Sequence, residues 1–164
     1  MELARTLTLV AATVTCGLTA GLFYAYACSV MPALARVEDR TFIEVMQRVN
    51  VAILNGWFVL GFVGALLTTG AAVAVHLPSD GHHALAPTVA ALVLYVAAIG
   101  VTRSVNIPLN DELAAAGAPE RIGDPAAVRG RFEARWVRFN VVRALLCTGA
   151  LACLAWALIL HGQA

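Results

Sequence analysis

The chain has 164 residues, 60% hydrophobic and 13% charged, with a formal net charge of +1. Soluble domains carry about 25% charged residues, so this composition excludes an ordinary water-soluble globule. The near-neutral balance gives no electrostatic footprint for nucleic acid, and the length leaves room for one domain.

Taken in chain order, four apolar runs stand out. Between Arg5 and Arg36 no charge occurs, and a bilayer core needs only about 20 apolar residues. This first span covers about residues 6–31. Arg5, the apolar stretch and Ala25-Tyr26-Ala27 also fit a cleaved signal, but the run is longer than a signal core and continues past that site, so it reads as a span. Within it Gly17-x-x-x-Gly21, continued by Ala25, is a small-residue face for close helix packing. The second span covers about 49–75, ahead of His76 and Pro78, and the third about 84–105. The fourth covers about 137–160. None alternates with period two, so helices rather than a barrel are expected. The prediction is an all-α, up-down transmembrane four-helix bundle forming a single membrane domain over 1–164.

The connections carry the punctuation. Residues 33–48 hold Arg36, Arg40 and Arg48, and residues 103–136 hold Arg103, Arg121, Arg129, Arg131 and Arg135, with Arg138 just beyond. The short connection His76–His83 holds no Arg. The positive-inside rule places both Arg-rich loops in the cytoplasm and both termini outside the cell membrane. In the long third connection Pro108 ends or kinks the third helix. Asn110-Asp111-Glu112 then opens a short helix closed by Gly117 and Pro119. Asp124-Pro125 is an N-cap followed by proline at the first helical position, so one long rod is expected from Pro125 into the membrane.

Two helical stripes concentrate polarity. Arg129, Glu133, Trp136, Asn140 and Arg143 recur at spacings of four, three, four and three, and Cys147 continues the line. Arg131, Arg135 and Arg138 fall opposite and suit the headgroup layer. Arg103, Asn106 and Asn110 form a second stripe. Tyr24, Tyr26 and Ser29 end the first span, and Gln47, Asn50 and Asn55 start the second, at the same side of an up-down bundle. The opposite ends are small and apolar. Intramembrane Asn, Gln and Arg need partners among themselves or in a ligand. Carboxamides, flat aromatics and one or two Arg suit a neutral or enolisable oxygen-bearing organic molecule, as an alternative to a network that only locks packing.

Other chemistry is sparse. Cys16, Cys28, Cys147 and Cys153 make no C-x-x-C pair and read as packing residues. His82-His83 near His76 lacks an accompanying Cys or buried carboxylate, so no metal site is expected. No phosphate loop, dinucleotide fingerprint or nucleophile elbow occurs, and no cofactor is expected.

Gly21-Leu22-Phe23-Tyr24 with Met31-Pro32, the run FIEVMQRVN from Phe42 to Asn50, and Asn106-Ile107-Pro108-Leu109-Asn110 form an ordered series. Arg131-Phe132-Glu133 through Trp136 and Asn140 to Arg143 completes it. Together they resemble the anthrone oxygenase-like family of small four-helix membrane proteins, over nearly the whole chain. The resemblance implies that architecture. From its fungal members it also implies oxidation of anthrones to anthraquinones without an evident metal or flavin. It carries no catalytic residue onto this sequence.

Three functional readings follow. The first is a cofactor-independent oxygenase for a lipophilic aromatic or phenolic substrate. Arg143 or Arg103 would stabilise an enolate, and Asn106 and Asn140 would orient oxygens, with Asn50 and Asn110 beside them. Trp136 would stack on the ring, and Glu133, or Tyr24 or Tyr26, would act as base. The second is a non-catalytic membrane module for a lipophilic ligand or a partner protein. The third is a small transporter subunit, against which stand the missing inverted repeat and the dry outer half. Oligomeric state stays open.

Overall fold

A computed structural model of the chain describes residues 1–77 and 82–163, and of His82 the backbone alone. Pro78, the rest of the expected connection through Gly81, the His82 side chain and Ala164 lie outside the described residues. Among the described residues five helices longer than a single turn make up the fold: α1 (Glu2–Leu34), α2 (Asp39–Ala52), α3 (Gly56–His76), α4 (Leu85–Ala115) and α5 (Pro125–Gly162). Helices α1, α3, α4 and α5 are long and apolar enough to cross a bilayer, which makes this an all-α, multi-pass membrane protein.

Helix α1 packs along α3 and α5, α4 packs along α5, and the α3–α4 seam is thinner. Small residues let the backbones approach. A Cβ at Gly61 would meet the Thr19 hydroxyl at 3.7 Å, one at Gly64 the Thr15 methyl at 3.6 Å, and one at Gly149 Leu94 at 3.3 Å. Of the expected Gly17–Gly21 face, Gly17 touches Leu151 while Gly21 has nothing within 4 Å. Half of that motif is a packing surface and half faces outward. Buried hydroxyls find partners across helices: Tyr95 Oη donates to the Phe62 carbonyl at 2.8 Å, and Thr15 and Thr68 share a 3.0 Å bond. All four cysteines are free thiols, with Cys16 and Cys147 facing each other in the core.

Polar contacts at the two ends fix the up-down order. At one end Arg5 Nε donates to the Val75 carbonyl at 3.1 Å and Thr6 bonds His161 at 2.9 Å, joining the start of α1 to the ends of α3 and α5. At the other end Arg129 donates to the Leu34 and Val37 carbonyls, to Asp39 at 2.9 Å and to Glu133 at 2.7 Å. Here a second core of Met31, Phe42, Ile43, Met46, Leu109, Leu113 and Phe132 forms beneath α2. Gln47 Nε2 fastens α2 over the end of α4 by donating to the Leu113 and Gly117 carbonyls, at 2.8 and 3.0 Å. Arg40 does the same at the Pro119 and Ile122 carbonyls.

Two expectations about the helices are corrected. The span expected over 49–75 starts at Gly56, because Asn55 caps α3 by accepting from the Phe58 N–H at 3.1 Å. Residues 49–52 belong instead to α2, whose buried face is Phe42, Ile43 and Met46. Nor does Pro108 end the third helix. In both α1 and α4 a wide turn, closed by a bond to the residue five back, precedes the proline: Met31 N–H to Tyr26, and Ile107 N–H to Thr102. Such a turn absorbs the carbonyl that the proline ring would strike, so α4 runs on to Ala115. Gly117, at φ +85°, then ends it. The long rod is as expected: Asp124 Oδ1 accepts from the Ala127 N–H at 3.0 Å and α5 runs unbroken for 38 residues.

Candidate functional site

Where α2 roofs the bundle, the arginine-rich ends of α1, α3, α4 and α5 do not close on one another. They leave a cavity of about 400 Å³, within the range of small-molecule sites. Its walls are largely aromatic and aliphatic. Phe58 and Phe62 stack at 5.1 Å between centroids, Phe23 meets Phe62 edge-on at 6.3 Å, and Tyr26 tilts against Trp136 at 6.0 Å.

Six expected site residues line this space: Asn50, Asn106, Asn110, Trp136, Asn140 and Arg143. Five of them, all but Asn50, are held by contacts that follow from their helices. Asn110 Oδ1 accepts from Trp136 Nε1 at 2.8 Å, locking the indole. Asn106 Nδ2 donates to the Trp136 carbonyl at 3.4 Å. Asn140 Nδ2 donates to the Phe23 carbonyl at 3.1 Å, while its Oδ1 accepts from Arg143 Nη2 at 3.0 Å. The Arg143 guanidinium lies 4.3 Å from the Phe23 ring centroid and 5.4 Å from that of Trp136. It is 5% exposed and forms no ion pair among the described residues. Two buried atoms at the cavity have no hydrogen-bond partner among the described residues: Arg143 Nε and Asn106 Oδ1. One is a donor and the other an acceptor. Buried polar groups normally have partners, so this pair marks unspent recognition capacity.

Three expected members lie elsewhere. Tyr24 is 61% exposed on the outer face of α1. The inward line of that helix runs Ala12, Cys16, Ala20, Phe23, and three residues on comes Tyr26, which does line the cavity. Arg103 is exposed, because the wide turn Thr102–Asn106 changes the phase of α4. A turn closed five residues back aligns positions four apart, so Thr102, not Arg103, shares the face of Asn106. Glu133 is turned to Arg129, whose Nε and Nη2 reach its two oxygens at 2.7 and 3.3 Å. It borders a separate shallow groove beside Ala27, Met31 and Pro32.

Residues beyond the expected set complete the wall: Phe23, Phe58, Phe62, Thr102 and Asp111. The aromatic ones were hidden by composition, since apolar side chains in a span look alike whether they face lipid or a cavity. Among the described residues no group of three His, Cys, Asp or Glu side chains is placed to hold a metal ion.

A family model described as anthrone oxygenase matches residues 54–153, a stretch that takes in α3, α4 and most of α5. It therefore contains five of the six expected cavity residues, all but Asn50. No curated protein and no solved structure matches the chain.

Proposed function

The chain belongs to the anthrone oxygenase family, and we propose that it is a membrane-embedded oxygenase acting on a planar, lipophilic aromatic ketone of the anthrone type. The observation that carries this reading is Arg143, a buried guanidinium with no carboxylate partner and an unpaired Nε–H at the wall of an aromatic cavity. An uncompensated charge at such a depth is costly. A ligand that becomes anionic supplies the missing counter-charge.

An anthrone does this when its ring methylene loses a proton. The electrons move onto the carbonyl oxygen, and the resulting enolate is an electron-rich, fully aromatic anion. Arg143 donates to that oxygen as charge develops, in a site with little water, where a preorganised donor acts most strongly. Asn140 holds the guanidinium in place. Trp136, itself oriented by Asn110, and the rings of Phe23 and Phe58 sandwich the flat substrate. Asn106 Oδ1 accepts from a ring hydroxyl. The enolate then reduces dioxygen, and the methylene carbon gains a carbonyl oxygen. Apart from Asp111, the exposed part of the wall is largely apolar, with Val51 at 75%, Leu54 at 77% and Ile107 at 43% exposure. Such a rim suits a substrate arriving from the bilayer rather than from water.

The test is direct. Purified protein in detergent, given anthrone in aerated buffer, takes up dioxygen and forms anthraquinone, one molecule of each, well above the spontaneous rate. Uptake equal to that of heat-denatured protein sinks the reading.

A further inference from the structure

We infer that Asp111 is the general base that removes the methylene proton; this rests on the oxygenase reading and adds the residue that starts the chemistry. Among the described residues Asp111 is the one carboxylate in the cavity wall, and the other titratable side chains there are Tyr26 and Arg143. Among those residues it makes no hydrogen bond or ion pair to another side chain, whereas Glu133, the acidic residue within α5, is committed to Arg129. Asp111 is exposed at the rim, so a proton held there exchanges with water.

Asp111 and Arg143 approach the cavity beside the same indole. Asn110, the residue before Asp111, accepts from Trp136 Nε1 at 2.8 Å, and the Arg143 guanidinium lies 5.4 Å from the Trp136 ring centroid. Arg143 is buried while Asp111 lies at the exposed rim. A ring ketone that lies on Trp136 with its oxygen at Arg143 therefore turns its methylene, opposite the carbonyl, toward the rim that holds Asp111.

The step balances as follows. The Asp111 carboxylate takes one proton from the methylene, leaving the enolate paired with Arg143. The enolate carbon forms a bond to dioxygen, which is reduced to the level of a peroxide anion, and that anion recovers the proton to become a hydroperoxide. Asp111 then removes the second hydrogen of the same carbon as a proton. The C–H electrons form the carbonyl, the O–O bond breaks, and hydroxide leaves to become water with that proton. Overall, the methylene and dioxygen give a carbonyl and one water.

The experiment separates the base from the oxidation. Under nitrogen in deuterated buffer, wild-type protein in detergent exchanges deuterium into the anthrone methylene, followed by mass spectrometry. Asp111→Asn, an isosteric change at an exposed position, slows both that exchange and aerobic turnover by about 100-fold or more. Binding of anthrone under nitrogen, followed by tryptophan quenching, stays within about twofold, and Asp111→Glu recovers part of the exchange. Wild-type exchange rates in Asp111→Asn, or loss of exchange in Tyr26→Phe with Asp111→Asn unaffected, overturn the assignment while aerobic turnover leaves the oxygenase reading intact. Failure of the wild type to oxidise anthrone at all removes that reading, and the base assignment with it.

Discussion

Arg129 and Arg143 lie fourteen residues apart on one helix and are both inward, yet they live in opposite circumstances. Arg129 sits at the end of the bundle with its donors taken up by Glu133, Asp39 and the carbonyls of Leu34 and Val37, its guanidinium over Phe42. It ties α1, the start of α2 and α5 into one corner. Arg143, deeper and more apolar in its surroundings, has one side-chain acceptor, two aromatic faces and a spare Nε–H. The first arginine spends its hydrogen-bonding capacity on the fold. The second keeps part of it for something else, and the cavity beside it shows where.

That contrast can be broken most sharply by the pair of substitutions Arg143→Met and Arg129→Met. Arg143→Met lowers anthrone turnover by about 100- to 1000-fold, the scale of removing one oxyanion donor. It leaves thermal stability in detergent unchanged or raised, because replacing a buried charge that has no carboxylate by an apolar side chain removes a desolvation cost. Arg129→Met behaves the other way round. It strands two carboxylates and two carbonyls, and costs about 2–3 kcal/mol, moderated by the partial exposure of Asp39 and Glu133. Turnover per folded molecule persists. Equal losses of stability in the two variants would end the distinction.

A smaller effect is expected at Asn140, the link between Arg143 and the Phe23 carbonyl. Asn140→Leu frees the guanidinium to swing toward lipid and lowers turnover about tenfold, with a stability change of about 1 kcal/mol from the lost bond. A kinetic titration with anthrone shows whether the loss falls on kcat, as a misplaced oxyanion donor requires. The smallest effects belong to the residues that the structure moves out of the site. Tyr24→Phe and Arg103→Gln leave turnover within about twofold, and a tenfold loss in either would bring that face of the bundle back into the chemistry.

The two halves of the bundle repeat the contrast on a larger scale. Toward the His76–His161 end the helices close on Leu9, Ala12, Ala72, Ala157 and Leu154, with polar contacts confined to the rim. In the cavity wall toward the Arg129 end, asparagine, glutamine and arginine outnumber the small residues that would let the helices meet. Some of those polar groups cap helices, as Asn55 and Gln47 do. Others hold the walls of the cavity apart.

Much of this was legible from residues alone. Four uncharged runs longer than a bilayer core could only be spanning helices, and Asp124-Pro125 could only start one. The convergence of Asn106, Asn110, Trp136, Asn140 and Arg143 followed from helical spacing and the up-down order. The rest was hidden for separate reasons. Spacing along a chain assumes constant helical phase, and the wide turn before Pro108 changes it locally, which sends Arg103 outward. Tyr24 was misplaced by a single position, since consecutive helical residues differ by about 100°. Glu133 fell on the right stripe, but a stripe broad enough to hold both Arg129 and Trp136 does not say which of two neighbours a carboxylate will choose.

The sequence by itself therefore determined the class of molecule, its membrane spans in outline and the end at which polarity collects, because these depend on hydrophobic runs and on spacing along one helix. Only the tertiary structure decided that a cavity exists there, that Arg143 rather than Arg129 or Arg103 is the arginine buried at it with a donor to spare, and that Asp111 is the carboxylate in its wall. Those outcomes depend on which groups from different helices find each other first, and no single helix records its partners.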